Sequence, residues 1–246
     1  MKRKPYPSDL SDTEWEIIEP LLPKPLPRGP KANVDLREVV NGVFYLLREG
    51  CRWRAIPHDL PPWQTVSSYF RKWQRKGIWS QINETLRKKV RIAAGRNPES
   101  TAGSIDSQSV KTTDKKGETY GFDGNKKVKG RKRHILVDTQ GLLIEIFVSE
   151  ANMSERLGGV VLVDDAVDKI PNLKLIWVDS GYSGPRFSNS IKQLLPAKIE
   201  VIKRKKKEFE VLPRRWVVER TFAWLVKNRR LVIDYELLPE MSEAMI

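Results

Sequence analysis

Two rhythms of apolar and polar positions divide this chain. Up to about residue 95 the apolar residues recur at helical spacing. Ser11 and Glu14 have capping-box spacing, and Trp15, Ile18, Leu21 and Leu22 follow as one stripe. The stretch LLPKPLPRGPKAN breaks the pattern with prolines and reads as a loop. Asp35 is placed to cap a second helix with the stripe Val39, Val40, Phe44 and Leu47, and Gly50 to end it. A short helix near Cys51–Ile56, a proline turn and a helix over about Trp63–Lys76 come next. The last of these has Val66, Phe70 and Trp73 inside and Gln64, Ser67, Ser68, Arg71, Lys72 and Arg75 on its other faces. Helix, tight turn and basic polar helix is the logic of a helix-turn-helix, with the polar set reading DNA; an ordinary helical bundle with a solvated face is the plainer alternative. A further helix, about Trp79–Ala94, leads into the polar linker GRNPESTAG.

From residue 102 strands alternate with helices. AGSIDSQSV reads as a strand and TTDKKGETYGFDGNKKVKG as a loop. RKRHILVDTQGLLIEIFVSE reads as two strands joined at Asp138–Gly141. A helix over Ser154 to about Lys169, the buried strand KLIWVD, a helix over Pro185–Leu195, the strand AKIEVIK and the amphipathic helix RRWVVERTFAWLVKNRR complete the order. Val218, Phe222 and Leu225 share one face of that last helix. Three strands, helix, strand, helix, strand, helix is the order of a ribonuclease-H-like fold. The class is therefore α+β, with a helical domain over residues 1–95 and a mixed-sheet domain over 101–246.

Charge narrows the possible partners. The 246 residues carry 45 Lys and Arg against 31 Asp and Glu, a net charge of +14, which points to a polyanion such as nucleic acid. The surplus is concentrated in residues 111–133 and 198–230, on either side of an acidic stretch. Lys126, Lys127, Lys129, Arg131, Lys132 and Arg133 form the densest run and read as contacts to a phosphate backbone; Lys203–Lys207 is either the same or a plain loop. Cys51 is the only cysteine, and His58 and His134 are the only histidines, which excludes a disulfide framework and a thiolate or imidazole zinc site. No apolar run is long enough for a membrane helix, so the chain reads as soluble and cytoplasmic.

Three carboxylates stand out against this basic background. They are Asp106 in SIDSQSV, Asp179 in LIWVDSGYSG and Glu219 in RRWVVERTFAWL, each with apolar or aromatic neighbours. Carboxylates are seldom buried unpaired, so three in such settings suggest a divalent cation held by oxygen. In the fold order above, the first acid lies on the first strand, the second at the end of the fourth strand beside it, and the glutamate on the last helix. Turn or ion-pair roles are the plainer readings: an Asx turn for Asp179, a helix ion pair with Arg215 for Glu219. Asp138 reads as a turn residue and His134 as a strand residue.

EWEIIEPLLP, LLREGCRWRAIP, PPWQTVSSYFRKWQ, IDSQSVKTT, GNKKVKGRKRHILVDTQGLL, VDSGYSG and RRWVVERTFAWL, in this order, closely resemble the DDE transposases of bacterial insertion sequences, the insertion-sequence-five type in particular. The resemblance implies that Asp106, Asp179 and Glu219 are the catalytic, metal-binding triad, with Arg215 beside them. It implies Mg²⁺, with Mn²⁺ as a substitute. It implies double-stranded DNA partners, namely terminal inverted repeats and target DNA, a homodimer holding two ends, and a place at the bacterial nucleoid. The reaction implied is cutting and joining the ends of the chain's own element. Two positions depart from the family pattern: Leu212 stands where a tyrosine is usual, and Val226, followed by Lys227, where a basic residue is usual. The family usually continues past SEAMI into another apolar helix. The sequence therefore also reads as a copy cut short, one that binds terminal repeats without cutting.

Overall fold

A computed structural model describes residues 3–23, 34–115, 117–202 and 215–246. The proline-rich loop, the Lys203–Lys207 run and Leu212 lie wholly or largely outside them. Four helices come first: α1 (Asp12–Ile18), α2 (Leu36–Glu49), α3 (Trp63–Arg75) and α4 (Ile78–Ala93). Their ends follow the sequence signals. Ser11 and Glu14 close the capping box reciprocally, Asp35 accepts from the Arg37 and Glu38 N–H groups, and Gly50 ends α2 at φ 69°. The segment before α3 is a single 3₁₀ turn, Trp53–Ala55, rather than an α-helix. Pro57, Pro61 and Pro62 leave no room to extend it.

The sheet has six strands: β1 (Ala102–Lys111), β2 (Gly121–Asp123), β3 (Val128–Asp138), β4 (Leu143–Glu150), β5 (Leu175–Val178) and β6 (Lys198–Val201). β3 lies antiparallel to β1 on one side and to β4 and the short β2 on the other; β5 runs parallel to β1, and β6 parallel to β5. The order β4–β3–β1–β5–β6, three antiparallel strands followed by two parallel ones, is ribonuclease-H-like.

Alternation along β3 assigns the two faces. Leu136 joins Ile105, Leu162, Ile176, Tyr182 and Phe187 in a core beneath α5 (Glu155–Ala166) and α6 (Pro185–Leu194). Ile135 and Val137 pack on the other face against Val217, Val218 and Phe222 of α7 (Trp216–Leu225). α7 ends earlier than the periodicity of RRWVVERTFAWLVKNRR predicts. The chain continues through a 3₁₀ turn at Arg229–Leu231 to α8 (Pro239–Met245), where Met245 joins Leu231, Val43, Leu46, Val66 and Phe70 in one apolar cluster.

The basic run on β3 is corrected by this packing. Arg131, Lys132 and Arg133 are buried, because β3 has a strand on either side and the C-terminal segment lies against it. Arg131 donates to the carbonyls of Thr119 (2.8 Å), Glu236 (2.9 Å) and Leu237 (2.7 Å), and Arg133 to that of Leu231 (2.7 Å). Lys132 donates to the Met153 carbonyl at 2.8 Å. These three cations satisfy internal acceptors and do not face a phosphate backbone. Ser67, on the buried side of α3 beside Val66, is likewise withdrawn from any DNA contact.

Candidate active site

β1 and β5 pair only as far as Ser104 and Trp177. Past that point the strands part, and Asp106 and Asp179 stand on either side of the gap. Asp106 is opposite Ile135 in the antiparallel register, so the two share the face that α7 covers. Arg215 immediately precedes α7, and Glu219 lies in its first turn. The fold thus brings four residues together from three elements.

They converge on one atom. Arg215 Nη2 lies 3.1 Å from Asp106 Oδ2, 3.8 Å from Asp179 Oδ2 and 3.9 Å from Glu219 Oε1. Asp106 also accepts from the Ser107 N–H at 2.7 Å, and Asp179 Oδ1 from the Gly181 N–H at 2.8 Å. Asp179 is therefore an Asx-type cap and a member of the cluster at once. Burial pushes the Asp106 carboxyl up to about 6, although the Arg215 charge and the Ser107 N–H pull it the other way.

Among the described residues, no three acidic, histidine or cysteine side chains close to metal-ligand geometry. The acids close instead around a guanidinium. That arrangement still tests the donor set. The groups are oxygen-only, at least two are half-buried or more, and all three point at a positive charge. A hard divalent cation fits such a set once Arg215 turns aside.

Of the other residues singled out from sequence, Gln64, Ser68, Arg71, Lys72 and Arg75 are exposed on α3. Lys126, Lys127 and Lys129 are exposed in and around the β2–β3 turn. Trp216 is partly exposed and stacks its ring on Arg220, whose guanidinium lies 4.2 Å from it and 4.4 Å from the Trp224 ring. His134 is buried, and its imidazole is pushed down to about 3, mainly by burial and further by Lys132 and Lys126, so it stays neutral. Asp138 caps its hairpin by accepting from the Gln140 and Leu142 N–H groups and pairs with Arg91 of α4.

Three residues at the site carry no sequence signal of their own. Ser107, Glu155 and Tyr182 surround the gap between β1 and β5. Glu155 reads in sequence as an ordinary first-turn acid behind the Ser154 cap.

The comparisons with known proteins bear on this geometry. A family model described as "Transposase DDE domain" matches residues 97–236, more than half of the chain. The chain belongs to the DDE transposase family. A second model, "Putative transposase of IS4/5 family", matches residues 10–83. In Burkholderia cepacia, the "Insertion element IS402 uncharacterized 16.2 kDa protein" is 32% identical over 108 residues, 42% of this chain and 72% of that protein. From the same organism, "Putative transposase for insertion sequence element IS402" is 29% identical over 126 residues, 48% of this chain and 59% of that protein. This DDE family member therefore spans less than two thirds of the second relative. Among solved structures, the catalytic core domain of BIV integrase aligns at TM-score 0.36 and 14% identity, over 59% of this chain and 81% of that one.

Proposed function

We propose that this DDE family member cuts the DNA ends of the insertion sequence that encodes it and joins them to a target. The observation that carries the reading is the convergence of Asp106, Asp179 and Glu219, from β1, the end of β5 and α7, on a single cationic group. In this reading residues 101–246 form the catalytic domain and residues 1–95 the DNA-binding one. Mg²⁺ is the cation, with Mn²⁺ able to replace it. When bound, divalent cations supply an activated water and charge neutralisation at the leaving oxygen.

The chain's own residues do the rest. Asp106, central on β1, holds the middle of the site, with Asp179 and Glu219 flanking it. Arg215, displaced from the acids, orients a non-bridging phosphate oxygen. The 3′-hydroxyl freed by the first cut takes the place of water in the joining step, so no covalent enzyme–DNA link is needed. Gln64, Ser68, Arg71, Lys72 and Arg75 on α3 face the terminal repeat, and Lys126, Lys127 and Lys129 hold the backbone beside the cut. Two copies of the chain hold two ends, at the nucleoid.

The test is cleavage of supercoiled plasmid carrying the DNA that flanks the gene, with Mg²⁺ or Mn²⁺, alongside Asp106→Asn. The expected result is metal-dependent breaks at the element ends that the variant does not make, with DNA binding retained. Breaks by Asp106→Asn at the parent rate would remove the assignment. Binding by the parent chain without any breaks would leave a repressor that holds terminal repeats.

A further inference from the structure

Glu219 is the least supported of the four residues gathered at the gap between β1 and β5. More than half of its side chain is exposed, and its carboxylate meets Arg215 Nη2 only at 3.9 Å, too far for a hydrogen bond. Its own helix holds it loosely. α7 begins without a side-chain cap, and the Glu219 N–H reaches the Arg215 carbonyl at 3.5 Å. Val217, Val218 and Phe222 seat the helix on Ile135 and Val137. Apolar contact has no direction, however, and resists a small turn or slide of the helix only weakly.

The next two residues of the chain are fixed from outside the helix. Arg220 Nη2 donates to the Gln140 carbonyl at 2.6 Å, and Thr221 Oγ1 to the Gly141 carbonyl at 2.6 Å, both in the β3–β4 turn. The Arg220 guanidinium is also flanked by the Trp216 and Trp224 rings, which hold it against the helix. Gly141 is what lets the helix come so close. Its φ is 77°, and a Cβ there would stand 3.0 Å from both Thr221 Oγ1 and the Val217 carbonyl oxygen and 3.1 Å from Arg220 Nη2. The turn is itself firm. Asp138 Oδ1 accepts from the Gln140 and Leu142 N–H groups, while Oδ2 takes Arg91 from α4. Arg96 Nη1 adds a contact to Thr139 Oγ1 at 3.4 Å. A chain of directional bonds thus runs from α4 through the turn to the residues that follow Glu219.

We infer that Arg220 and Thr221 are positioning residues for Glu219: by fastening α7 to the β3–β4 turn they set the rotation of the helix that carries the glutamate to Asp106 and Asp179. Arg220 and Thr221 are bonded to the turn and not to the acids, so they act through the helix backbone. Without them a small turn of α7 about its axis keeps the apolar seat and the fold, but it carries the exposed Glu219 carboxylate away from the two aspartates. This rests on the role proposed for Glu219 above and adds what holds that residue in place.

The experiment follows cutting of the plasmid that carries the flanking DNA, by the full chain with Mg²⁺, over a range of DNA concentrations. Five forms are compared: parent, Arg220→Met, Arg220→Lys, Thr221→Val and Glu219→Gln. Methionine keeps the contact with the two indole rings and valine nearly the shape of threonine, so both changes remove a hydrogen bond and little packing. Arg220→Met and Thr221→Val are each expected to lower the rate at saturating DNA about tenfold or more, because a misplacement of roughly 1 Å costs up to about a hundredfold. The DNA concentration for half-maximal rate should stay within about twofold of the parent, the mark of a loss felt only in the reaction step. Arg220→Lys, which still donates to the Gln140 carbonyl, should recover most of the rate. Parental rates in both Arg220→Met and Thr221→Val, with Glu219→Gln inactive, would overturn the positioning role and leave Glu219 in place. A loss that Arg220→Lys does not recover, or one matched by weaker DNA binding and a lower melting temperature, would also overturn it and make Arg220 a residue of the fold alone. Cutting by Glu219→Gln at the parental rate, or no cutting by the parent, would remove the role of Glu219 and this inference with it.

Discussion

Asp106 carries the largest electrostatic conflict in the site. It is mostly buried and faces Asp179, with one hydrogen bond and one guanidinium to offset the loss of water. Burial outweighs both, so the folded carboxyl holds its proton up to about pH 6, above its ordinary value of 3.8. The sign follows from linkage. The folded chain binds the proton more tightly than the unfolded one, so stability is greatest below the ordinary value and falls as pH rises through about 6. Asp106→Asn removes the penalty without changing the shape. In buffer without divalent ions the variant should melt several degrees higher than the parent at pH 8, a gain of at most about 3 kcal/mol. At pH 4 the two should melt together. Equal melting at both pH values would mean that Arg215 fully compensates the charge. Asp106, Asp179 and Glu219 were legible one by one as candidates, because each sits in a distinctive apolar context, and the structure gathers them around Arg215. The Glu155–Ser107 contact was not legible, because an acid in the first turn of a helix is ordinary and its partner lies far back in the chain.

At the scale of elements, legibility tracks length and local chemistry. α2 and α3 are long, have strong apolar stripes and begin or end at recognisable residues, and the sequence places them well. β2 has three residues and α8 seven, too short for a period to declare itself, and neither was legible. β3 shows a different failure. Its basic run reads as a surface stripe because composition says nothing of which side of a strand is covered. Arg131, Lys132 and Arg133 point at carbonyls and acids that arrive from far along the chain, at Asp234, Glu236 and Leu237 for Arg131. Arg131→Met is therefore expected to destabilise the fold by about 3 kcal/mol, through orphaned acceptors and a lone Asp234. It should leave the salt dependence of DNA binding unchanged in the molecules that remain folded. Lys129→Ala should do the reverse, keeping stability while lowering the salt slope by about one ion. Denaturant melts and binding isotherms at several salt concentrations check both; a lowered slope for Arg131→Met would return that residue to the DNA surface.

At the scale of the whole molecule, the helical part and the sheet are not independent. Val43, Leu46, Val66 and Phe70 from α2 and α3 share one apolar cluster with Leu231 and Met245, which follow α7 in the chain. Arg230 reaches back to the Cys51 carbonyl at 2.8 Å, and Arg91 of α4 is paired with Asp138 in the β3–β4 turn. Chains of this length often split into parts that unfold separately. Here the shared cluster opposes that, because neither part can open without exposing side chains the other buries. Leu231→Ala, a change near α7, should cost about 2–5 kcal/mol and should weaken amide protection in α2 as much as in β3. Heating should give one transition for parent and variant, read by tryptophan fluorescence, which samples mainly the helical part, and by far-ultraviolet dichroism, which samples both. Two separated transitions, or protection lost in β3 alone, would show that the helices are only tethered. A single transition has a consequence for the proposed reaction. A helix reading a terminal repeat would then stand at a fixed distance from Asp106, and that distance would set where the end is cut.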